Sequence, residues 1–361
     1  MSKNFDKLLG RDMGAHFKGV FRKMTNKSDL SVTLPGLIQE ADARFRSWNI
    51  SGPLDPFSNM FPLIYSMIHR GIGCLDMALK PEETILTFFT MIVSSPTGVM
   101  FPTLPTPSSM LKMWSTIRIY RLVMIDNGDS NLIMFLYLAG AVSVALANTS
   151  MQVAWLQCFL ASDPYWYART RAEVDKVVAK NRVSADETPV DVLLRLTLDQ
   201  WENDFPTIHA GLTDSIRMVL PGPSIRKNIS GKDLVMGKTG VVVPPDAFVL
   251  YAFHDIHFDP SIYKDPYKWD PSRYLDGEQD DKKAPPHSYL GWGSGLHPCL
   301  GMKLAKLFVT ITTAMFVSHF DFKLTDEKGT PSTEPLPLPG MNGREALGPV
   351  TGVFLKCERR F

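Results

Sequence analysis

Trp292-Gly-Ser-Gly-Leu-His-Pro-Cys-Leu-Gly301 places one cysteine, Cys299, among three glycines, just ahead of the helix-forming Met302-Lys-Leu-Ala-Lys-Leu-Phe308. Glycine has no side chain and tolerates positive φ, so a loop of this kind allows the backbone to approach a flat cofactor closely. Backbone amides and the start of the following helix would face the sulfur and stabilise its thiolate form. The stretch therefore predicts that Cys299 is a metal ligand.

Two other interpretations of this stretch stay open from the residues alone. A buried structural cysteine beside a glycine-rich turn is the usual role of a lone cysteine, but that role does not explain the neighbouring positions. A Cys/His nucleophile would use His297, two residues away, and no third orienting group is apparent.

The composition is that of an ordinary globular chain. Its 361 residues carry 38 basic and 37 acidic side chains, a formal net charge of +1. Without a charge excess, binding to nucleic acid or to an anionic membrane surface through bulk electrostatics is disfavoured, so we expect a small partner of low charge and no nucleic acid. The four cysteines are widely spaced, which disfavours a zinc site or a disulfide framework.

Hydrophobic spacing predicts a mainly α chain with a minor β-sheet. The longest apolar run, Leu132 to Ala147, is shorter than the about 20 residues of a membrane span, so it predicts a core helix that extends through Phe159. Strand signals come later, around a Pro-Pro-Asp turn in Lys238 to Ala252 and in Val350 to Cys357. Further helices are predicted in five segments: Leu34 to Trp48, Pro53 to Arg70, Pro81 to Ser94, Ser108 to Leu122 and Pro164 to Lys180.

The cysteine-containing stretch resembles the haem-binding signature of the cytochromes P-450: an aromatic residue, then Gly, His or Arg, Cys and Gly at fixed spacing. The matching positions are Trp292, Gly295, His297, Cys299 and Gly301, with Trp in the place usually held by Phe. The resemblance implies that haem b binds with Cys299 as its iron ligand and with Trp292, Gly293, Gly295 and Gly301 forming the surrounding loop.

A second pair of segments resembles the same family. Trp269-Asp-Pro-Ser-Arg-Tyr274 is similar to its aromatic-x-Pro-x-Arg element, and Asp214 and Arg217 stand where the family has Glu-x-x-Arg. The resemblance implies a buried network of Asp214, Arg217 and Arg273. Aspartate is one methylene shorter than glutamate, so we expect the network to be looser or to leave part of its hydrogen-bonding groups unsatisfied. Taken alone, such a pair is usually a solvated surface pair.

The resemblance also implies roles for polar residues elsewhere. Arg226 and His297 would contact the haem propionates. The long apolar helix would carry the oxygen-handling segment, where the usual acid is absent and Asn148, followed by Thr149, falls at the position of the usual threonine. A hydrogen-bonding side chain there would help to deliver protons. Alternatively, Asn148 and Thr149 only end an apolar stretch.

The fold that this resemblance implies is a single cytochrome P-450-like domain over 1–361, in which 53–361 resemble the family and 1–52 match poorly, as if the usual N-terminal part were lacking. The implied function is a monooxygenase that oxidises a hydrophobic small molecule, such as a fungal secondary metabolite, with O2 and electrons from an NADPH-dependent reductase. The implied location is the cytosolic face of the endoplasmic reticulum membrane, or the cytoplasm if the missing anchor is genuine.

Two alternatives to this function come from other classes. One is a degenerate, non-oxidising scaffold, which the missing distal acid and the Glu-to-Asp change would suit. The other is an integral membrane protein built around Leu132 to Phe159, which would leave Asp214, Arg217 and the Cys299 loop without a role.

Overall fold

The computed structural model describes residues 13–72, 128–129, 131–220, 222–275, 285–295, 298–332, 334–340 and 346–360, together with Ala78 and Pro81. The chain divides into two compact units, and each is described by itself. The first unit comprises Met1–His209, Leu300–Leu336 and Gly352–Phe361, and the second comprises Ala210–Cys299 and Pro337–Thr351.

Helices dominate the first unit, and capping residues set several of their starting points. Asp55 accepts hydrogen bonds from the backbone of Phe57 and Ser58, and Asp163 accepts from Tyr165 and Trp166, so each satisfies amides that a helix start leaves open. The bounds in this unit are α1 Met13–Met24, α2 Lys27–Ser47, α3 Pro56–Gly71, α4 Asn131–Ser162, α5 Pro164–Asn181, α6 Pro189–Leu193, α7 Leu198–Asn203 and α10 Met302–His319. Helix α8, Pro206–Val219, begins in the first unit and belongs to the second from Ala210 onward.

The long apolar helix predicted from the sequence is confirmed as α4. Its C-terminal half is buried on all sides from Gln152 to Leu160, whereas Val144, near its middle, is 66% exposed. Among the described residues, no helix combines the length and apolar character needed to cross a bilayer.

The core of the first unit lies where α3, α4 and α10 pack together. Gly71 of α3 permits this close packing, because a Cβ there would come within 3.0 Å of the Phe308 ring. Gln157 of α4 donates to Thr313 Oγ1 of α10 at 3.2 Å. An antiparallel pair, β5 Phe320–Thr325 and β6 Phe354–Arg359, follows α10, with Phe320 opposite Arg359, so the predicted last strand is confirmed.

The second unit contains the remaining short elements. β1 Ser224–Lys227 pairs antiparallel with β4 Phe248–Tyr251, and β2 Leu234–Val235 pairs with β3 Val242–Val243. The predicted Pro-Pro-Asp turn joins β3 to β4, and Asp246 adopts a φ of 62° within it. The short helix α9 Phe253–His257 and a 3-10 turn, Pro271–Tyr274, complete the unit.

Several sequence predictions can be compared with these bounds. The helices predicted for Leu34 to Trp48, Pro53 to Arg70 and Pro164 to Lys180 correspond to α2, α3 and α5, and α2 begins seven residues earlier than predicted, at Lys27. The helices predicted for Pro81 to Ser94 and Ser108 to Leu122 lie outside the described residues, apart from Pro81 itself. The single domain over 1–361 stays a prediction.

Candidate functional site

Cys299 lies in a loop whose backbone is held by its own hydrogen bonds. The amide of Cys299 donates to the Trp292 carbonyl at 2.7 Å, and the amide of Gly293 donates to the Leu290 carbonyl at 2.8 Å. Gly293 and Gly295 adopt φ values of 71° and 72°, in the left-handed region that favours glycine. These positive φ values explain why glycine occupies positions 293 and 295.

The thiol of Cys299 suits a metal ligand. Cys299 is exposed, whereas Cys158 and Cys357 are buried, so the buried structural role proposed for a lone cysteine does not describe it. A Cβ at Gly295 would meet nothing within 4 Å, so open space lies beside the loop. An exposed soft sulfur donor next to open, side-chain-free backbone fits a flat group such as haem.

The structure describes two of the three other residues predicted to surround the haem. Trp292 is half-buried, and Gly301 directly precedes helix α10 at its N-cap position. His297, predicted as a propionate contact and as a potential nucleophile partner, lies outside the described residues.

A buried ion pair lies in the second unit. The Arg217 guanidinium contacts both carboxylate oxygens of Asp214, at 2.5 Å from Nε and 3.2 Å from Nη2, and both side chains are fully buried. Asp214 also accepts from the Asp270 amide at 2.6 Å. Burial raises the pKa of the Asp214 carboxyl, and these donors to its oxygens oppose that shift. The surface pair that the residues alone would suggest is therefore excluded.

Arg217 also joins this pair to distant backbone. Its Nη1 donates to the carbonyls of His257 and Pro266 at 2.9 and 2.6 Å, and its Nη2 donates to the Lys268 carbonyl at 3.1 Å. The guanidinium therefore holds 257–268 against helix α8, which no pattern in the sequence shows.

The aspartate leaves Arg273 incompletely paired, as its shorter side chain predicts. Arg273 Nε lies 3.9 Å from Asp214 Oδ1, within ion-pair distance but too far for a hydrogen bond, and Nε has no hydrogen-bond partner. Its Nη2 donates instead to the Asp265 carbonyl at 3.2 Å. The expected loosening is thus confined to Arg273.

His257 is a residue of this region that sequence reasoning missed. Its ring contacts the Arg217 carbonyl through Nδ1 at 3.1 Å and accepts from the Leu290 amide through Nε2 at 3.3 Å. Burial, with the positive Arg217 nearby, lowers the pKa of His257 to about 4. One feature of the sequence could have pointed to His257: it begins the segment His257-Phe-Asp-Pro260, which precedes the aromatic-x-Pro-x-Arg element.

Arg226 lies on β1 of the second unit and is exposed. Its Nη1 donates to the Ser224 hydroxyl at 2.9 Å and to the Ile225 carbonyl at 3.0 Å. Both partners are neutral, so the positive charge is not neutralised by them and the side chain could bind a carboxylate.

Asn148 and Thr149 lie next to each other within α4 of the first unit. The amide Nδ2 of Asn148 donates to the Val144 carbonyl at 3.2 Å, one helical turn earlier, and Asn148 is half-buried. Thr149 is 5% exposed. The helix continues for a further thirteen residues after Thr149, to Ser162, so these two residues lie inside it.

Comparisons with known proteins agree on one family. The family model described as Cytochrome P-450 matches residues 138–344. The chain is 29% identical over 374 residues to Cytochrome P-450 monooxygenase AacuE of Aspergillus aculeatus, covering 95% of this chain and 74% of that relative. It is 25% identical over 358 residues to Cytochrome P-450 monooxygenase nsrP of Aspergillus novofumigatus, covering 92% and 69% respectively.

A solved structure shares the fold. The retinoic acid bound cyanobacterial CYP120A1 matches with a TM-score of 0.70 and 17% sequence identity, covering 95% of this chain and 78% of that one. At this identity the likeness shows the fold alone, and it confirms the mainly α, cytochrome P-450-like fold that the spacing and the resemblance predicted.

Proposed function

This chain belongs to the cytochrome P-450 family of haem-dependent monooxygenases, and on that premise we propose that Cys299 binds the haem iron and that the substrate is a hydrophobic small molecule. The observation that carries this proposal is the exposed Cys299 thiol on a loop of left-handed glycines. When bound, haem b held by the Cys299 thiolate would supply the electron-rich iron whose chemistry favours O–O cleavage and oxygen insertion.

The residues of the loop would hold the sulfur and leave space for the ring. The bond from the Cys299 amide to the Trp292 carbonyl limits movement of the cysteine backbone. Gly293 and Gly295 present no side chain, and Gly301 directly precedes α10. The exposed Arg226 would bind one propionate, and the proposed contact of His297 with the other rests on the resemblance alone.

On α4, Asn148 and Thr149 would hold water and move protons. The amide of Asn148 already donates to the Val144 carbonyl, so its Oδ1 is the atom suited to accept from water. The Thr149 hydroxyl can both donate and accept, which proton transfer requires. Electrons would come from an NADPH-dependent reductase.

The relatives and the family suggest a setting. AacuE and nsrP are monooxygenases of Aspergillus species, which supports oxidation of a fungal secondary metabolite. The cytosolic face of the endoplasmic reticulum membrane is the location typical of the branch that the sequence resembles. Fractionation of a tagged chain in a fungal host tests this location, and recovery only in the cytosolic fraction would contradict it.

The test of the proposed function is the absorption spectrum of the purified, haem-loaded protein, reduced with dithionite and exposed to carbon monoxide. We expect a red-shifted Soret band in the wild type and in Cys357→Ser, and no such band in Cys299→Ser. Because Cys299 is exposed, Cys299→Ser should unfold at the same urea concentration as the wild type. A band that persists in Cys299→Ser, or no haem uptake by the wild type, would contradict the proposal.

A second candidate is a haem-binding or haem-free scaffold without oxidase activity. The observation that favours it is the incomplete pairing of Arg273, together with the absence of an acid before Asn148. Haem binding without reductase-supported O2 consumption, across a panel of hydrophobic substrates, would favour the scaffold over the monooxygenase.

A further inference from the structure

We propose that His257 is a positioning residue that ties the backbone leading to Cys299 to the helix carrying the buried Asp214–Arg217 pair. The proposal rests on the proposed role of Cys299 as the iron ligand. It concerns only residues of the second unit, and His257 itself would touch neither haem nor substrate.

The two ring nitrogens of His257 have different partners, and these partners set the tautomer. The Arg217 carbonyl can only accept, so Nδ1 carries the hydrogen and donates to it at 3.1 Å. The Leu290 amide can only donate, so Nε2 is unprotonated and accepts at 3.3 Å. A neutral ring with one defined tautomer is therefore required for both bonds.

The Leu290 bond leads directly toward the cysteine. The carbonyl of Leu290 accepts from the Gly293 amide at 2.8 Å, and the adjacent Trp292 carbonyl accepts from the Cys299 amide at 2.7 Å. Hydrogen bonds thus connect His257 through residue Leu290 and the peptide group between Trp292 and Gly293 to the backbone of Cys299. A shift of Leu290 would be passed on to the cysteine.

The surroundings of the ring allow it to act as a rigid connector. His257 is 1% exposed, and its ring stacks on Tyr289, with centroids 5.6 Å apart and planes 19° apart. Its own carbonyl accepts from Arg217 Nη1 at 2.9 Å, so both its backbone and its ring are attached to Arg217. Burial lowers the pKa of His257 to about 4, so the ring is neutral near pH 7, as the Leu290 bond requires.

The ordinary alternative is a core histidine that only fills space, and two substitutions separate it from the proposal. His257→Gln carries its amide near the position of Nε2 and can keep an acceptor for the Leu290 amide. His257→Asn carries its amide near the position of Nδ1 and can keep only the bond to the Arg217 carbonyl. A space-filling role predicts that both variants lower the overall stability, His257→Asn more than His257→Gln because its side chain is smaller, with no change confined to the Leu290 amide.

The experiment measures hydrogen exchange of the Leu290 amide in the haem-free chain, relative to the Leu220 amide, which donates to the Ile216 carbonyl within helix α8. We expect His257→Asn to accelerate Leu290 exchange about tenfold relative to Leu220, and His257→Gln to leave the ratio within about twofold of wild type. Equal ratios in the two variants would overturn the proposal. If His257→Asn does not fold, loss of Leu290 protection in His257→Gln would overturn it by itself.

A second measurement follows the haem-loaded protein. The red-shifted Soret band of the reduced carbon monoxide complex should decay faster in His257→Asn than in His257→Gln, because the cysteine backbone is held less firmly. Equal decay rates would contradict the proposed transmission from Leu290 to Cys299. Failure of the proposed function is distinguishable, since it would show as a band that survives Cys299→Ser, while exchange of the Leu290 amide would still report on His257.

Discussion

The backbone that leads to Cys299 and the segment of α4 around Asn148 are held in different ways. The Leu290 amide donates a hydrogen bond to His257, and His257 donates one to the Arg217 carbonyl. Residues far apart in the chain therefore hold the first region. Asn148 bonds to Val144, and the Ser150 hydroxyl bonds to the Leu146 carbonyl at 2.7 Å, so contacts within one helical turn hold the second.

This difference separates two kinds of functional residue. The proposed metal ligand needs a defined position, and buried hydrogen bonds from several elements supply it. The proposed proton-handling residues, half-buried Asn148 and buried Thr149, carry polar side chains that can exchange hydrogen-bond partners. Substitutions of the buried residues that hold the first region, such as Arg217 and His257, should therefore affect folding stability, and substitutions in the second region should affect reaction chemistry.

The largest expected effect on stability comes from breaking the buried pair. Arg217→Met would leave the Asp214 carboxylate buried without its main partner, and we expect a loss of about 3–5 kcal/mol in the free energy of unfolding. Urea denaturation measures it. Lys227→Met is the matched control, because Lys227 pairs with the exposed Asp246 and its loss should change unfolding far less. Equal losses of unfolding free energy in Arg217→Met and Lys227→Met would mean that the buried pair stabilises the fold no more than the exposed pair does.

The second prediction concerns the acid sensitivity that His257 adds. The folded pKa of about 4 lies below the unfolded value of 6.5, so below pH 6.5 the unfolded state takes up a proton that the folded state does not. The contribution of neutral His257 to the free energy of unfolding is therefore complete above pH 6.5 and is lost as the pH falls from 6.5 to about 4. His257→Gln should remove a contribution that reaches about 3 kcal/mol at pH 4.

Urea midpoints measured between pH 4 and pH 7 check this contribution. His209 has its pKa lowered to about 4 by burial and the positive Lys306, and it lies in the first unit. By the same reasoning, His209→Gln should remove a similar pH-dependent contribution, so it tests independently whether a buried neutral histidine has this effect. Parallel pH profiles of wild type and His257→Gln would contradict the assignment of a neutral, buried His257.

A smaller effect is expected at the third member of the network. Arg273→Leu removes one hydrogen bond to the Asp265 carbonyl and a contact of 3.9 Å with Asp214, so we expect a loss of about 1 kcal/mol. The same urea titration applies. If Arg273→Leu lowers the free energy of unfolding as much as Arg217→Met, Arg273 stabilises the buried carboxylate as strongly as Arg217 does, despite the shorter aspartate.

The smallest effect on stability is expected on α4. Asn148→Ala should change the free energy of unfolding by no more than about 0.5 kcal/mol, because the bond it removes lies within the helix and alanine favours helices. Product formed per NADPH consumed should fall by up to about 100-fold, since proton delivery is impaired. Thr149→Val, tested alongside, shows which of the two side chains matters more. Unchanged coupling in both variants would leave neither with a role in proton delivery.

Much of the fold could be predicted because its signals are local. Asp55 and Asp163 each cap the next residues of their own helix, and the apolar run that became α4 is contiguous in sequence. The glycines before Cys299 also reflect a local requirement, positive φ. The start of α2 was less well predicted, because Asn26 caps it before the apolar spacing becomes regular.

The family signature around Cys299, the mainly helical fold and the start of α5 at Pro164 could be predicted from the sequence alone, because each depends on residues a few positions apart. The tertiary structure was needed to show that the loosening expected from the shorter aspartate falls on Arg273 and not on Arg217, and that His257 joins Arg217 to Leu290. These outcomes depend on ångström differences between atoms brought together from segments tens of residues apart. A hydrogen bond is lost when its donor and acceptor move apart by less than about 1 Å, and the spacing of residues in a sequence does not set distances that finely.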